Sequence, residues 1–521
     1  MIVERIDARV LYANNRFFLD YLGGEAAARG LFEHAPDAVD AAAASRRAAD
    51  IPRTDLVDLL RPYNESIDAS DAALAHIDAL AHPDALCVIG GQQAGFLGGP
   101  LFVAHKIRSI LAVAARLAAR LGAPVVPIFW LATEDHDFTE INRIRTLDAA
   151  GDLRTISFGW DGRGRPIERL PITSEIRVAA DEALALLPEA RGHLRDLFTP
   201  DASDDYGRWH ARIWSRLFAD EGLVLVEPRT VRSLAGPLFA RVLSSTDAIA
   251  AALGESANAL RAAGYDIPLD PDATGGLFAF SEDGRRIRVE DPTDHVDRAA
   301  AGPGGYSPDA ALRPILADAL FPTIASVLGP SELGYHAMLR PLYRLFETPQ
   351  PLILPRDEAT LLSFRHASLL DRVGATVSDI LAGTFDAATA ARSAASPELL
   401  AAFADRKAAL RTSLGPLRTL LEPIDPGLDA RWRQTADRIG EQVDRLEERA
   451  IAADLARSGV SVRELRRLRA EVYPSGRPQE RVLSLLHAAA RHGLSWVHDL
   501  ETPATPGETA HYVLSVGGND G

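Results

Sequence analysis

The sequence predicts an α/β fold built on a parallel β-sheet, with inserted segments and a long helical arm. Two observations carry the sheet. DALCVIG (84–90) is a short apolar run closing on glycine, as a buried strand should be. A glycine-rich loop follows, then HKIRSILAVAARLAARLG (105–122), with apolar residues at helical spacing and a terminal glycine, then the β-branched and aromatic APVVPIFWLA (123–132). Strand, loop, helix and strand in that order make a βαβ unit, which joins parallel strands. The third observation is the alanine-rich, helical character of residues 376–469, which predicts the arm.

The remaining elements follow along the chain. LVLVEP (223–228), PTIASVLG (322–329) and PLILP (351–355) predict further buried strands. Residues 151–217 and 241–310 are mixed and rich in Arg, Asp and Gly, and read as insertions into the sheet domain. The expected division is a core from 1 to 150, a connecting segment at 151–217 and a core strand and helix at 218–240. A second connecting segment at 241–310, more core at 311–375, the arm at 376–469 and a return to the core at 470–521 complete it. In the arm, Leu428, Trp432, Thr435, Ile439, Val443, Leu446 and Ala450 follow a heptad-like spacing. Leu399, Phe403, Leu410, Leu414 and Leu417 match it more roughly, and Pro423 and Pro426 separate the two runs. That pattern fits a helical hairpin packed on the body or an arm that pairs with another chain.

Composition narrows the function. The chain has 521 residues, 47% hydrophobic and 25% charged, ordinary for a water-soluble globular protein. Its net charge of −16 argues against a broad nucleic-acid surface, which needs clustered basic residues. No run is long and apolar enough to predict a membrane span, and MIVERIDARVLYANNRF lacks the basic and apolar regions of a secretory signal. One cysteine, Cys87, excludes an intrachain disulfide, and a reducing cytoplasmic setting is expected. Cys87 lies inside the first apolar run, so it reads as core packing rather than as a nucleophile. Of the 56 basic residues all but Lys106 and Lys407 are arginine, which draws attention to the stretch holding Lys106.

That stretch is GGQQAGFLGGPLFVAHK (90–106), between the first strand and its helix. Open parallel sheets bind ligands beyond the carboxyl ends of their strands. Glycines there let backbone N–H groups approach a ligand, and a helix N-terminus favours an anion. The alternative is a tight turn that needs glycine for its geometry. The second cluster is FWLATEDHDFTEIN (129–142), with Glu134, Asp135, His136, Asp137 and Glu140 at the end of the second strand. Acid–base chemistry, ammonium binding and metal ligation all fit it, as does an acidic turn capping a helix through Thr133 or Asp135. Its spacing matches no standard zinc pattern, and no tightly bound metal is expected. The third cluster is VLGPSELGYHAMLRPLY (327–343), where Ser331 and Glu332 open a helix carrying Tyr335 and His336; an ordinary capped helix is the alternative. Arg356, after LILP, reads as an anion clamp or as a surface arginine.

Together these blocks resemble the bacillithiol biosynthesis cysteine-adding enzymes over nearly the whole chain. The matching residues are Gly91-Gln92-Gln93, Gly99-Pro100, His105-Lys106, Glu134 to Asp137, Glu140 to Asn142 and Pro355-Arg356. YPSGRPQERVLSLL (473–486) is similar to the family's closing block. Ser331 and His336 depart from it, standing where a glycine and an aromatic are usual. GGPLFVAHKIRS is also faintly similar to the HIGH-type signature of class I aminoacyl-tRNA synthetases. Their partner loop carries lysine, and the only other lysine here, Lys407, falls in the arm.

The resemblance implies a Rossmann-like core, two inserted connecting segments and a coiled-coil arm pairing a homodimer. It implies a ligase attaching L-cysteine to glucosaminyl malate, the last step of bacillithiol biosynthesis, with ATP and Mg²⁺ as the candidate energy source. Gln92, Gln93, Gly98, Gly99 and Pro100 would then hold a carboxylate or hydroxyls. His105 and Lys106 would stabilise an oxyanion or a phosphate. One of Glu134, Asp135, His136 and Asp137 would take a proton from the attacking amine, and Asn142, Gly329, Glu332, Tyr335 and Arg356 would bind substrate. Two other readings stand beside this: a non-catalytic thiol-precursor binding or scaffold protein, and a nucleotidyltransferase-like enzyme activating another carboxylic acid.

Overall fold

Five short apolar runs pair edge to edge in the computed structural model, every pair parallel. They are β1 (Leu86–Gln92), β2 (Val125–Leu131), β3 (Val224–Val226), β4 (Thr323–Leu328) and β5 (Leu352–Pro355). The structure describes residues 2–148, 150–187, 192–201, 204–457, 459–498 and 511–517. Part of the expected C-terminal return, 499–510 and 518–521, lies outside the described residues.

The sheet order is β3-β2-β1-β4-β5, so the chain builds outward from β1 in one direction and then restarts on its other side. This is the doubly wound arrangement, and it leaves a crevice between β1 and β4 where the order reverses. Each strand is buried on both faces, so its side chains alternate between two cores. In β2, Val125, Phe129 and Leu131 enter one core and Val126, Ile128 and Trp130 the other. Cys87 is fully buried in the second core, as its place in the apolar run predicts.

Helix α1 (Phe102–Leu121) joins β1 to β2 and ends at Gly122 in the left-handed conformation, with φ 59°. It lies so close to the sheet that a Cβ on Gly90 would meet Ile110 Cδ1 at 2.7 Å and the Val327 carbonyl at 3.0 Å. Close helix–strand packing therefore requires glycine at that position.

The connections hold the inserted structure. Between β2 and β3 lie an antiparallel hairpin (Arg143–Leu147 with Leu153–Ser157) and the helices Ser174–Leu186 and Tyr206–Leu217. Between β3 and β4 lie the helix Thr246–Ala262 and a small antiparallel sheet of Leu277–Phe280, Arg286–Arg288 and Tyr306–Pro308. A three-stranded sheet of Ile2–Ile6, His511–Val516 and Glu358–Ser363 closes this part of the chain.

The chain divides into two units, one of Met1–Leu361 with Pro478–Gly521 and one of Leu362–Arg477. In the second, two long helices, Pro397–Leu421 and Leu428–Arg457, form a hairpin. Trp432 Nε1 donates to the Leu414 carbonyl at 3.2 Å, and Lys407 bridges Asp444 and Glu447.

Candidate active site

The crevice between β1 and β4 holds a cavity of about 240 Å³. The three sequence blocks converge there. Gly90 to Gln93 come from the end of β1, Trp130, Ala132 and Glu140 from β2 and its loop, and Glu332, Tyr335 and His336 from the helix after β4. Arg313 and Asp318 enter from the helix preceding β4.

Lys106 stands at the junction of these blocks. Helix α1 starts at Phe102, three residues before the expected His105, so Lys106 lies beyond its first turn and points under β1. Its side chain is 1% exposed. The ammonium donates to the Gly91 carbonyl at 2.7 Å, to Gln92 Oε1 at 3.1 Å and to both Glu332 oxygens at 2.8 and 2.7 Å. Burial pushes the lysine down from its ordinary value, with Glu332 opposing. Burial pushes Glu332 up, but Lys106 outweighs it and holds the carboxyl below the usual range. Glu332 can reach because its helix (α2, Pro330–His336) begins with proline, and the Gly329 N–H donates back to Glu332 Oε2 at 2.6 Å. Gly329 thereby caps the helix that carries the lining residues.

The acidic loop is largely engaged by the protein itself. Glu134 is fully buried and takes Arg313 Nε at 2.5 Å. Asp135 accepts the His136 backbone N–H at 2.7 Å and Gln93 Nε2 at 3.1 Å. Burial raises Asp135, but Arg313, Gln93 and Arg286 prevail and hold it below the usual range. Arg286 lies 3.2 Å from His136 Nδ1 and stacks on Phe278 at 4.0 Å. A guanidinium only donates, so Nδ1 accepts and Nε2 carries the proton. Asp137 caps the short helix Phe138–Ile141 through the Thr139 N–H at 3.2 Å, so the expected cap falls on Asp137 and not on Thr133 or Asp135. Glu140 reaches the cavity rim with no cation partner among the described residues. Burial raises its carboxyl, Gln93 lowers it, and Asp137 and Asp135 raise it further.

Several expected site residues lie elsewhere. Gly98, Gly99 and Pro100 do not line the cavity. Positive φ angles at Leu97, Gly98 and Gly99 turn their loop onto the C-terminal segment. Leu101 N–H donates to Leu483 at 2.9 Å, and a Cβ on Gly98 would meet Leu485 Cδ2 at 2.6 Å. The loop is the tight turn the sequence left open, not an anion cradle. Asn142 also leaves the cavity and donates to the Phe158 carbonyl at 3.2 Å.

His105 and Arg356 belong to a separate buried cluster. His105 Nδ1 lies 2.7 Å from Glu480, which also holds Arg356 at 2.5 and 3.1 Å, and Arg356 reaches Glu358 at 3.2 Å. Burial lowers His105, with Glu480 opposing. Burial raises Glu480, but Arg356 and His105 hold it well below the usual carboxylate range. Arg356 is therefore an internal ion-pair partner rather than an anion clamp. Among the described residues no group of three His, Cys, Asp or Glu is arranged to hold a metal, and no helix is long and apolar enough to cross a membrane.

Sequence reasoning missed Arg313, Arg286, Asp318 and Ser326. The available signal was indirect: a glutamate buried after a strand needs a cation, but a chain with this many arginines does not say which.

Fold and site define a doubly wound α/β protein with a cavity at its switch point, walled by paired charges. The particular family follows from comparison. The chain belongs to the bacillithiol biosynthesis BshC family: residues 1–357 match its N-terminal Rossmann-like domain and residues 359–516 its C-terminal coiled-coil domain. Relatives named "Putative cysteine ligase BshC" include those of Geobacillus kaustophilus (30% identical, 97% of this chain and 98% of the relative), Geobacillus thermodenitrificans (30%, 89% and 90%) and Salinibacter ruber (30%, 91% of each).

Proposed function

We propose that this protein is a cysteine ligase of bacillithiol biosynthesis, joining the carboxyl carbon of L-cysteine to the amine of glucosaminyl malate in the last step. The observation that carries the reading is the convergence of the three blocks on one cavity at the switch point. At about 240 Å³ the cavity lies below the roughly 300–1,000 Å³ of drug-sized ligand sites, which suits an amino acid. Glu140, the rim carboxylate without a cation, takes the proton lost by the attacking amine; a raised carboxyl suits that role. Gln92 and Tyr335 orient the substrates, and the Lys106–Glu332 pair fixes the wall that holds them.

Amide formation from a free carboxylate needs activation, for which ATP with Mg²⁺ is the proposed source. Arg313, which lines the cavity, and Lys106 behind its wall are already committed to Glu134 and Glu332, so the triphosphate is proposed to be held outside this cavity. The arm is proposed to pair two protomers, supported by the exposed Leu417, Leu420, Ile424 and Leu446 on its hairpin. A binding-protein reading draws on one specific observation, the engagement of every acidic side chain from Glu134 to Asp137 within the fold.

The test is to mix purified protein with glucosaminyl malate, L-cysteine and Mg²⁺, with and without ATP, and to follow bacillithiol by mass spectrometry. ATP-dependent product supports the ligase. Binding of both substrates without product supports the binding protein.

A further inference from the structure

We infer that Asp318 holds the α-ammonium of the amino-acid substrate at the inner end of the cavity, leaving the substrate carboxyl directed at the rim. This rests on the ligase reading and adds to it the group that anchors the amino acid.

Asp318 lines the cavity from the helix Leu312–Leu320 and is 2% exposed. Its Oδ2 accepts the Tyr343 hydroxyl, while Oδ1 is left open toward the cavity. Among the described residues it forms no ion pair. Arg46, the cation behind it, donates instead to the backbone carbonyls of Asp318, at 2.6 Å, and of Pro349. Burial raises the Asp318 carboxyl to about 6, although Arg46, Tyr343 and Thr323 lower it. A carboxylate so placed is incompletely neutralised, and an ammonium beside it recovers part of the cost of burying it.

The charges around the cavity favour a cation. Arg313 is committed to Glu134, and Lys106, behind the wall, to Glu332. Two lining carboxylates, Asp318 and Glu140, are left without an ion pair among the described residues. An anion placed there would meet uncompensated negative charge, whereas a cation meets its counter-charge. The two carboxylates lie at opposite ends. Asp318 acts on Thr323 and Cys87, at the starts of β4 and β1, while Glu140 follows β2 and interacts with Gln93, just past the end of β1. Two ends suit two amines. Ligation keeps the amino group of the amino acid and takes a proton from the amine of the acceptor. The larger acceptor enters from the rim, where Glu140 stands, so the inner carboxylate falls to the amino acid. Ile89, Ala317 and Leu328 line the cavity and lower the local dielectric, which strengthens the pairing.

The experiment measures binding of L-cysteine and of 3-mercaptopropionate, which is cysteine without its amino group, to the full-length protein by calorimetry. Wild type should prefer cysteine by about 10- to 100-fold, the worth of one hydrogen bond between charged groups. Asp318→Asn should cut that preference below about threefold while leaving the affinity for 3-mercaptopropionate nearly unchanged. A variant that keeps the preference, or a wild type without one, overturns the assignment and leaves the ligase reading standing. Wild type that binds no cysteine overturns both. Should the asparagine variant fail to fold, pH dependence decides. Cysteine affinity of wild type should fall about tenfold from pH 7 to pH 5 as Asp318 takes up a proton, and 3-mercaptopropionate affinity should not fall with it. Of the neighbours, burial pushes Cys87 up to about 12, Tyr343 well above the tyrosine range and His336 down to about 4, so none of these titrates in that window, and an arginine such as Arg46 stays charged. Glu140 is raised as well, and a second variant separates the two carboxylates. In Tyr343→Phe the fall should move to higher pH, because the lost hydroxyl no longer lowers Asp318; a flat profile, or one that Tyr343→Phe leaves in place, overturns the inference.

Discussion

Lys106→Arg keeps the charge under β1 and changes its shape, and it should destabilise the larger unit by about 2–6 kcal/mol. The ammonium meets oxygens from Gly91, Gln92 and Glu332 around a single nitrogen, at 2.7 to 3.1 Å. A guanidinium presents its donors in one plane. It can grip Glu332 with two of them, but it then loses the carbonyl or the glutamine oxygen behind that plane. A lost partner for a buried acceptor costs about 1–3 kcal/mol, and forcing a larger group into a site that is 1% exposed costs about as much again. The unit spans about 400 residues, for which the unfolding entropy is about 0.8 kcal/mol/K, so its melting temperature should fall by about 3–7 °C. Lys106→Met should cost about 2–3 kcal/mol. The roughly 3–5 kcal/mol of a broken buried pair is reduced here because Glu332 is 25% exposed and keeps the Gly329 N–H. Scanning calorimetry of the full chain measures both, and turnover in the ligation assay should be lost in both. A Lys106→Arg protein that melts within about 1 °C of wild type and turns over normally would refute the reasoning.

Three further predictions concern other parts of the same unit. Glu480→Gln breaks the buried pair with Arg356 and should cost about 3–5 kcal/mol, most of it recovered in the double variant Arg356→Met with Glu480→Met. The folded protein holds Glu480 below its unfolded pKa of about 4.3, so its stabilisation is complete above that pH and lost as pH falls through the folded value. The difference in urea midpoint between wild type and Glu480→Gln should therefore shrink from pH 6 to pH 3, and a constant difference would contradict the ion-pair account. Glu140→Gln should lower kcat by about 10²–10⁴ with melting unchanged, since the residue sits at the exposed rim; unaltered kcat would remove Glu140 as the base. Gly98→Ala should cost about 1–3 kcal/mol, read from the urea midpoint, because φ is 84° and the new Cβ would lie 2.6 Å from Leu485; an unshifted midpoint would show that the loop yields easily.

What could be read from the sequence was whatever depends on local pattern. The five apolar runs were visible because strands buried on both faces are apolar throughout, and the heptad spacing marked the hairpin helices before any packing was known. The strand edge that carries the site was visible too, since a βαβ unit fixes which ends of β1 and β2 lie together. What could not be read was pairing at a distance. Nothing local tells that Arg356 faces Glu480, 124 residues on, or that Arg313 faces Glu134, 179 residues back. The glycine loop misled for a related reason. Glycine serves a ligand and a tight turn equally well, and only the position of Leu485 shows which one Gly98 serves.

The two lysines join these arguments. Lys106 gathers three residues of the cavity wall onto one nitrogen, and Lys407 bridges Asp444 and Glu447 in the arm. In both places one ammonium meets oxygens belonging to different residues, which a compact point charge on a flexible stem does and a planar fork does poorly. At Lys106 the oxygens of Gly91, Gln92 and Glu332 converge on one nitrogen, an arrangement that suits an ammonium. At Lys106 that geometry also sets the cavity: the nitrogen that ties Gln92 to Glu332 fixes the distance between the end of β1 and the helix after β4, and so the width of the crevice in which a substrate must fit.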